Sequence, residues 1–195
     1  MTPLSGKLSA GGPALGYLAL GPTVGLFTLN HAGATAIAPE IMTLVLLIGG
    51  AMQIIAGLQA RQSGELAGAA AFIPLGLFWF SLIGLYQMPA MGIGHVSSPL
   101  NMLIYLTMWG LFVAIFYLGS FQQNRALQLV FSMLMISLLL MAVSEIRDNP
   151  VFDSAAAAAG VGSGLAALYT GLAKWVNHGL GRVLLPVGPV SSPLE

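Results

Sequence analysis

The chain has 195 residues, of which 57% are hydrophobic and only six are basic and six acidic, giving zero net charge. An ordinary soluble domain is excluded, since about a quarter of its residues are charged. There is no basic footprint for nucleic acid. The absence of cysteine rules out disulfides, a thiol nucleophile and a Cys-type metal site.

The charges fall in short clusters. Residues 41–60, 66–88, 126–144 and 154–173 carry none, and 8–39 and 100–124 are also charge-free, though broken by turn residues. About 20 apolar residues span a bilayer as a helix, and in lipid a helix satisfies its own backbone hydrogen bonds. Six spans are therefore expected, at about 13–31, 39–60, 65–88, 98–121, 124–147 and 151–177. No signal peptide is evident before them.

The first helix holds Pro22, which frees the Leu18 carbonyl, and ends at Asn30-His31-Ala32-Gly33. The second carries Gly49-Gly50 and Gly57, with Gln53 on the same face. The glycines suit close helix packing. Gln53 either finds a packing partner or offers its amide to a solute, since a buried amide without a partner is costly. The third helix contains Pro74, which frees Ala70, and leads to a Gly/Pro/Ser run over 89–99 that includes His95. The fourth carries Tyr105, Thr107 and Trp109, and the fifth starts after Gln122-Gln123-Asn124. In the sixth, Gly160, Gly164, Ala167 and Gly171 form a small-residue stripe, with Ser163 beside it. Packing is the expected role of the stripe, and a smooth pore wall the alternative. Trp79, Trp109 and Phe116 are expected to anchor apolar interfaces between copies.

Nearly the whole chain is used by the spans. One membrane domain over 13–177 is expected, between an N-terminal segment over 1–12 and a tail over 178–195. Six spans put both termini on one side. That side holds Lys7, Arg61, Arg125, Lys174 and Arg182, and the other holds only Arg147. The excess of positive charge marks the cytoplasmic face, so both termini are expected in the cytoplasm, and Glu40, Glu145, Asp148 and Asp153 outside. Three helices on either side of the central loop run in opposite senses, which permits an inverted repeat. The segment Phe78-Trp79-Phe80-Ser81-Leu82 loosely echoes Trp109-Gly110-Leu111-Phe112.

Pumps and voltage sensors need ionisable groups within the membrane, and none falls mid-span, which favours a passive pore or simple carrier; with the spans using almost the whole chain, an enzyme is not expected. His31, His95 and His178 are too scattered for a metal site, and no metal or cofactor is expected. A pH-sensing role for His31 or His95 is the alternative to plain surface solvation.

The helix 2 pattern Gly49-Gly50-x-x-Gln53-Ile54-x-Ala56-Gly57-Leu58 resembles that of the acetate uptake transporters, the succinate–acetate permease or YaaH-type family. So do Phe78-Trp79, Leu106-x-x-Trp109-Gly110-x-Phe112, Leu127-Gln128 and the C-terminal Gly181-Arg182-Val183-Leu184-Leu185-Pro186-Val187-Gly188. Gly11-Gly12-Pro13-Ala14-Leu15-Gly16 partly matches the family signature Asn-Pro-Ala-Pro-Leu-Gly. The resemblance covers about residues 11–188. It implies an all-α integral membrane protein, six transmembrane helices around a protomer-central pore, assembled as a homo-hexamer. It also implies transport of acetate, succinate or related short carboxylates in the cytoplasmic membrane. Its hydrophobic constriction falls on Leu20, Leu75 and Leu134, where the relatives carry Phe, Tyr and Leu.

The polar groups expected to pass a solute along are Gln53, Tyr105, Thr107 and Ser163. No Lys or Arg lies mid-span to hold an anion, so passage of the protonated acid, or of the anion with a proton, is expected. A channel for small neutral solutes such as urea, short amides or ammonia is the alternative, and a non-transporting scaffold a third.

Overall fold

The computed structural model describes residues 11–147 and 149–188. Lys7, Asp148, most of the segment expected over 1–12 and the end of the tail lie outside the described residues. Six helices follow one another: α1 (Gly11–His31), α2 (Pro39–Gln62), α3 (Leu66–Ala90), α4 (Pro99–Ser120), α5 (Arg125–Ser144) and α6 (Pro150–Leu180). No strand occurs among the described residues.

The helix starts are written locally. Pro39, Pro99 and Pro150 occupy first turns, where a missing N–H costs nothing. Ser98, Asn124 and Asn149 accept backbone N–H groups of Asn101, Leu127 and Val151 as N-caps. α6 stops at Gly181, whose φ of 63° is left-handed.

Five of the helices, α2 to α6, are long and apolar enough to cross a membrane on their own terms. α1 completes the expected six helices; it is rich in glycine and carries Pro22, Thr23 and Thr28. The same small residues let it sink between α2 and α6. A side-chain carbon at Gly21 would lie 2.8 Å from the Gly164 carbonyl oxygen, and one at Gly171 would lie 2.9 Å from that of Ala14. Gly160 abuts Thr28. The α6 stripe is therefore a packing face along the whole of α1, and not a pore wall. α2 and α3 meet in the same way, with Gly50 and Gly76 each against the other's carbonyl.

These contacts run antiparallel and order the bundle as α3, α2, α1, α6, α5, α4. α3 and α4 complete the ring through side chains. Phe78 lies 5.1 Å from Trp109 and 6.1 Å from Tyr105 between ring centroids. Tyr105 also bonds to Ser81 and to the Phe78 carbonyl. Trp79, expected at an interface between copies, is instead fully buried in this chain, packed on Phe27 and Phe78. Phe116 packs on Phe112 and Phe131. The outward face of α4 exposes Ile104, Met108, Leu111, Ile115 and Leu118, as expected for a solvent of lipid chains.

Beyond α6 the chain folds back. The Gly188 and Val187 carbonyls accept the N–H groups of Arg125 and Ala126, closing the start of α5. Asn177 holds the backbone of Leu184 and Leu185, and the Tyr169 hydroxyl donates to the Pro186 carbonyl.

Candidate transport pathway

Charge separates to the two ends of the bundle. One end carries Arg61, Glu65, Arg125, Lys174 and Arg182; the other carries Glu40, Glu145, Arg147 and Asp153. The end bearing Glu40 opens into a vestibule of about 380 Å³, walled by α1, α2 and α3. Asn30, His31, Thr43, Tyr86 and Gln87 supply its polar groups, and Phe27, Leu46 and Ile83 its apolar ones. Gln87 donates to the Thr43 hydroxyl, tying α3 to α2, and Asn30 accepts the Ile37 N–H, pinning the α1–α2 turn.

Inward of the vestibule stands an aromatic group, Phe27 against Trp79 at 5.6 Å and Trp79 against Phe78 at 4.7 Å. Two helical turns deeper, about 10 Å, lies the level of Leu20, which is fully buried. Helix pairing fixes what shares this level. Gly49 meets Thr23, Gly50 meets Gly76, and Gly57 meets Ile73, so Gln53 lies between these contacts beside Leu20 and Leu75. On the opposite wall Ser163 donates to the Val130 carbonyl and Gly164 meets Gly21. Val130 thus shares the level of Gly21, and Leu134 sits one turn, about 5 Å, toward the vestibule. All three expected constriction leucines belong to one buried core. Leu20 and Leu75 are level; Leu134 is offset.

Gln53 has no exposed surface, and neither its amide oxygen nor its nitrogen has a hydrogen-bond partner. The Trp79 indole nitrogen is likewise unpartnered. Burying a polar group unpaired costs free energy, so Gln53 and Trp79 carry unused polar capacity in the bundle interior. The other polar candidates are occupied. Ser163 is spent on the Val130 carbonyl, and Tyr105 on Ser81 and Phe78. Thr107 is half-buried at the edge of the inward face of α4. Pro22 turns its ring outward, and Thr23 donates to the Ala19 carbonyl.

The inner end is closed by Tyr17 and Phe72, edge to face at 4.8 Å. Lys174 lies 5.6 Å from the Tyr17 ring centroid and 3.7 Å from a Glu65 oxygen. The vestibule, the unpaired Trp79 nitrogen and this closure were not singled out from sequence. Each is assembled from more than one helix, and no local spacing announces it. The polar helix ends Asn30, Thr43 and Gln87 were the available signal.

Apolar helices facing lipid, a charge-free interior and a vestibule at one end above a buried unpaired amide define a multi-pass helical membrane protein of the transport class. The chain belongs to the GPR1/FUN34/yaaH family, whose profile matches residues 2–192. It is 31% identical over 184 residues to the succinate-acetate/proton symporter SatP of Escherichia coli K12, covering 94% of this chain and 98% of that one. It is 33% identical over 179 residues to a protein of Methanothermobacter thermautotrophicus, covering 88% of each. The solved structure of the bacterial acetate channel SatP superposes with a TM-score of 0.86 at 30% identity, covering 91% of this chain and 98% of that chain. These named relatives are a symporter and a channel, not enzymes.

Proposed function

We propose that this chain transports acetate and related short-chain carboxylates across the cytoplasmic membrane, as the protonated acid or with a proton. The observation that carries the reading is Gln53: a wholly buried, unpaired amide at the level of Leu20 and Leu75, in an interior with no charged side chain. A carboxylic acid can donate to the amide oxygen and accept from its nitrogen. A carboxylate anion would face a desolvation cost of several kcal/mol, by order of magnitude, with no cation to offset it. Near-full-length likeness to a succinate-acetate/proton symporter supports both the solute class and the proton.

In this reading Leu20, Leu75 and Leu134 form the hydrophobic waist that excludes hydrated ions. Gln53 is the principal polar station. Tyr105, Thr107 and Ser163 are secondary, since the hydroxyls of Tyr105 and Ser163 already serve the fold. Both termini are cytoplasmic, because the basic end of the bundle carries Arg61, Arg125, Lys174 and Arg182. The protein assembles as a cyclic homo-oligomer, a hexamer, and the broad apolar face of α4 offers surface to a neighbouring copy or to lipid.

The test is flux of labelled acetate, succinate and urea into proteoliposomes at two external pH values. Acetate uptake that exceeds urea uptake and rises as pH falls is expected. Equal urea flux without pH dependence would replace this reading with that of a neutral-solute channel.

A further inference from the structure

The proposed path makes no use of His31. This residue ends α1 on the vestibule wall, and its Nε2 lies 3.8 Å from an Asp153 oxygen on α6 and 3.5 Å from the Ser144 hydroxyl on α5. Its ring centroid is 6.3 Å from that of Phe27, at the inner limit of the vestibule. The side chain is only 17% exposed, so it is held and not waving in solvent.

The surroundings are acidic. α6 contributes Asp153, and α5 ends in Glu145 with Arg147 following. α2 begins with Glu40, and α3 contributes Tyr86 to the same cavity. Three carboxylates against one guanidinium, among the described residues, draw protons to this mouth and repel anions. A carboxylate arriving here must shed its charge before the leucine level. Imidazole is the side chain that ordinarily exchanges a proton between pH 5 and 8, and His31 is the imidazole on this wall.

We propose that His31, oriented by Asp153 and Ser144, is the proton-exchange residue of the vestibule. The imidazolium N–H bond breaks and an O–H bond forms on the solute carboxylate, leaving neutral imidazole and neutral acid. The imidazole then takes a new proton from external water. Between a free imidazolium and a free carboxylate in water this transfer runs uphill by about two pH units. Loss of both charges as the solute leaves water offsets that cost. The order of events for uptake is thus binding, protonation at His31, then passage to Gln53.

This assignment rests on the transport reading, and the experiment separates the two. Acetate flux into proteoliposomes is measured at constant total acetate from pH 5.5 to 7.5, with protein-free vesicles subtracted. Over that range the anion is nearly constant, while undissociated acid falls about a hundredfold. Wild-type flux is expected to fall much less steeply than the free acid, because the neutral acid is formed at His31. His31→Asn keeps a hydrogen-bonding side chain without the titrating proton, and its flux should fall about a hundredfold, following the free acid. A His31→Asn profile matching wild type, or a wild-type fall of about a hundredfold, overturns the assignment of His31 alone. No acetate flux in the wild type overturns the transport reading as well. Should His31→Asn fail to assemble, Asp153→Asn decides. Loss of the carboxylate that orients the imidazole should steepen the fall in flux between pH 5.5 and 7.5 toward that of the free acid, and a profile matching wild type would sink the proposal.

Discussion

A buried amide with neither end paired costs about 1–3 kcal/mol for each unsatisfied group. Gln53 is therefore costly to the fold, and pairing with a passing acid would offset that cost. Gln53→Leu should raise the thermal midpoint of the purified protein while lowering acetate flux about tenfold or more, the equivalent of one lost hydrogen bond of 1.4 kcal/mol. A variant that is both less stable and fully active would show that Gln53 has a packing role. Leu75 carries the opposite expectation. Truncating an ordinary core leucine costs about 2–5 kcal/mol. If Leu75 forms the waist, Leu75→Ala should increase flux per assembled protein or admit a bulkier acid, read with thermal stability alongside. Unchanged flux with a large loss of stability would leave Leu75 as core. Gln53 and the three leucines could be picked out from the sequence because each sits in a pattern. The unpaired indole of Trp79 could not, since whether a buried N–H finds a partner depends on helices remote in sequence.

Among the elements, α1 and α6 make the closest approach, and the glycines there differ in what they meet. An added methyl at Gly164 would press on the Gly21 carbonyl at 2.7 Å, where backbone must move. At Gly162 it would meet the Met133 sulfur at 3.7 Å, an ordinary contact. Gly164→Ala is expected to destabilise by about 1–3 kcal/mol through overpacking. Gly162→Ala is expected to be neutral, or to stabilise by up to about 1 kcal/mol through helix propensity. Paired thermal melts in one detergent check both. The charge gaps located all six helices, and the spacing of Gly160, Gly164 and Gly171 marked a packing face before its partner was known. What the spacing could not name was that partner. The glycines and threonines of α1 are what allow α6 to approach it so closely. The aromatic contact between α3 and α4 also escaped, because Phe78 and Trp109 were legible as an echo of one another and not as neighbours.

At the level of the whole molecule, orientation and assembly each carry a prediction. The chain has no cysteine, so a single introduced thiol labels without background. Val96→Cys should react from outside and Gln62→Cys from inside, and the reverse pattern would invert the proposed topology. Native mass spectrometry in mild detergent should give a hexamer, and monomer alone would count against it. The closing of the ring has a mechanical consequence. Five of its contacts are close helix packing, three with backbone pressed against backbone or small side chains, and such interfaces have little slack. The sixth, between α3 and α4, is made of rings that can turn about their own bonds. The bundle is a hoop with one clasp. Any widening that admits a solute should concentrate there, on a side bordered by the exposed face of α4. Whatever presses on that face, a lipid chain or an adjoining subunit, then sets the tension on the clasp, so throughput should respond to bilayer thickness and lateral pressure even where the melting temperature does not.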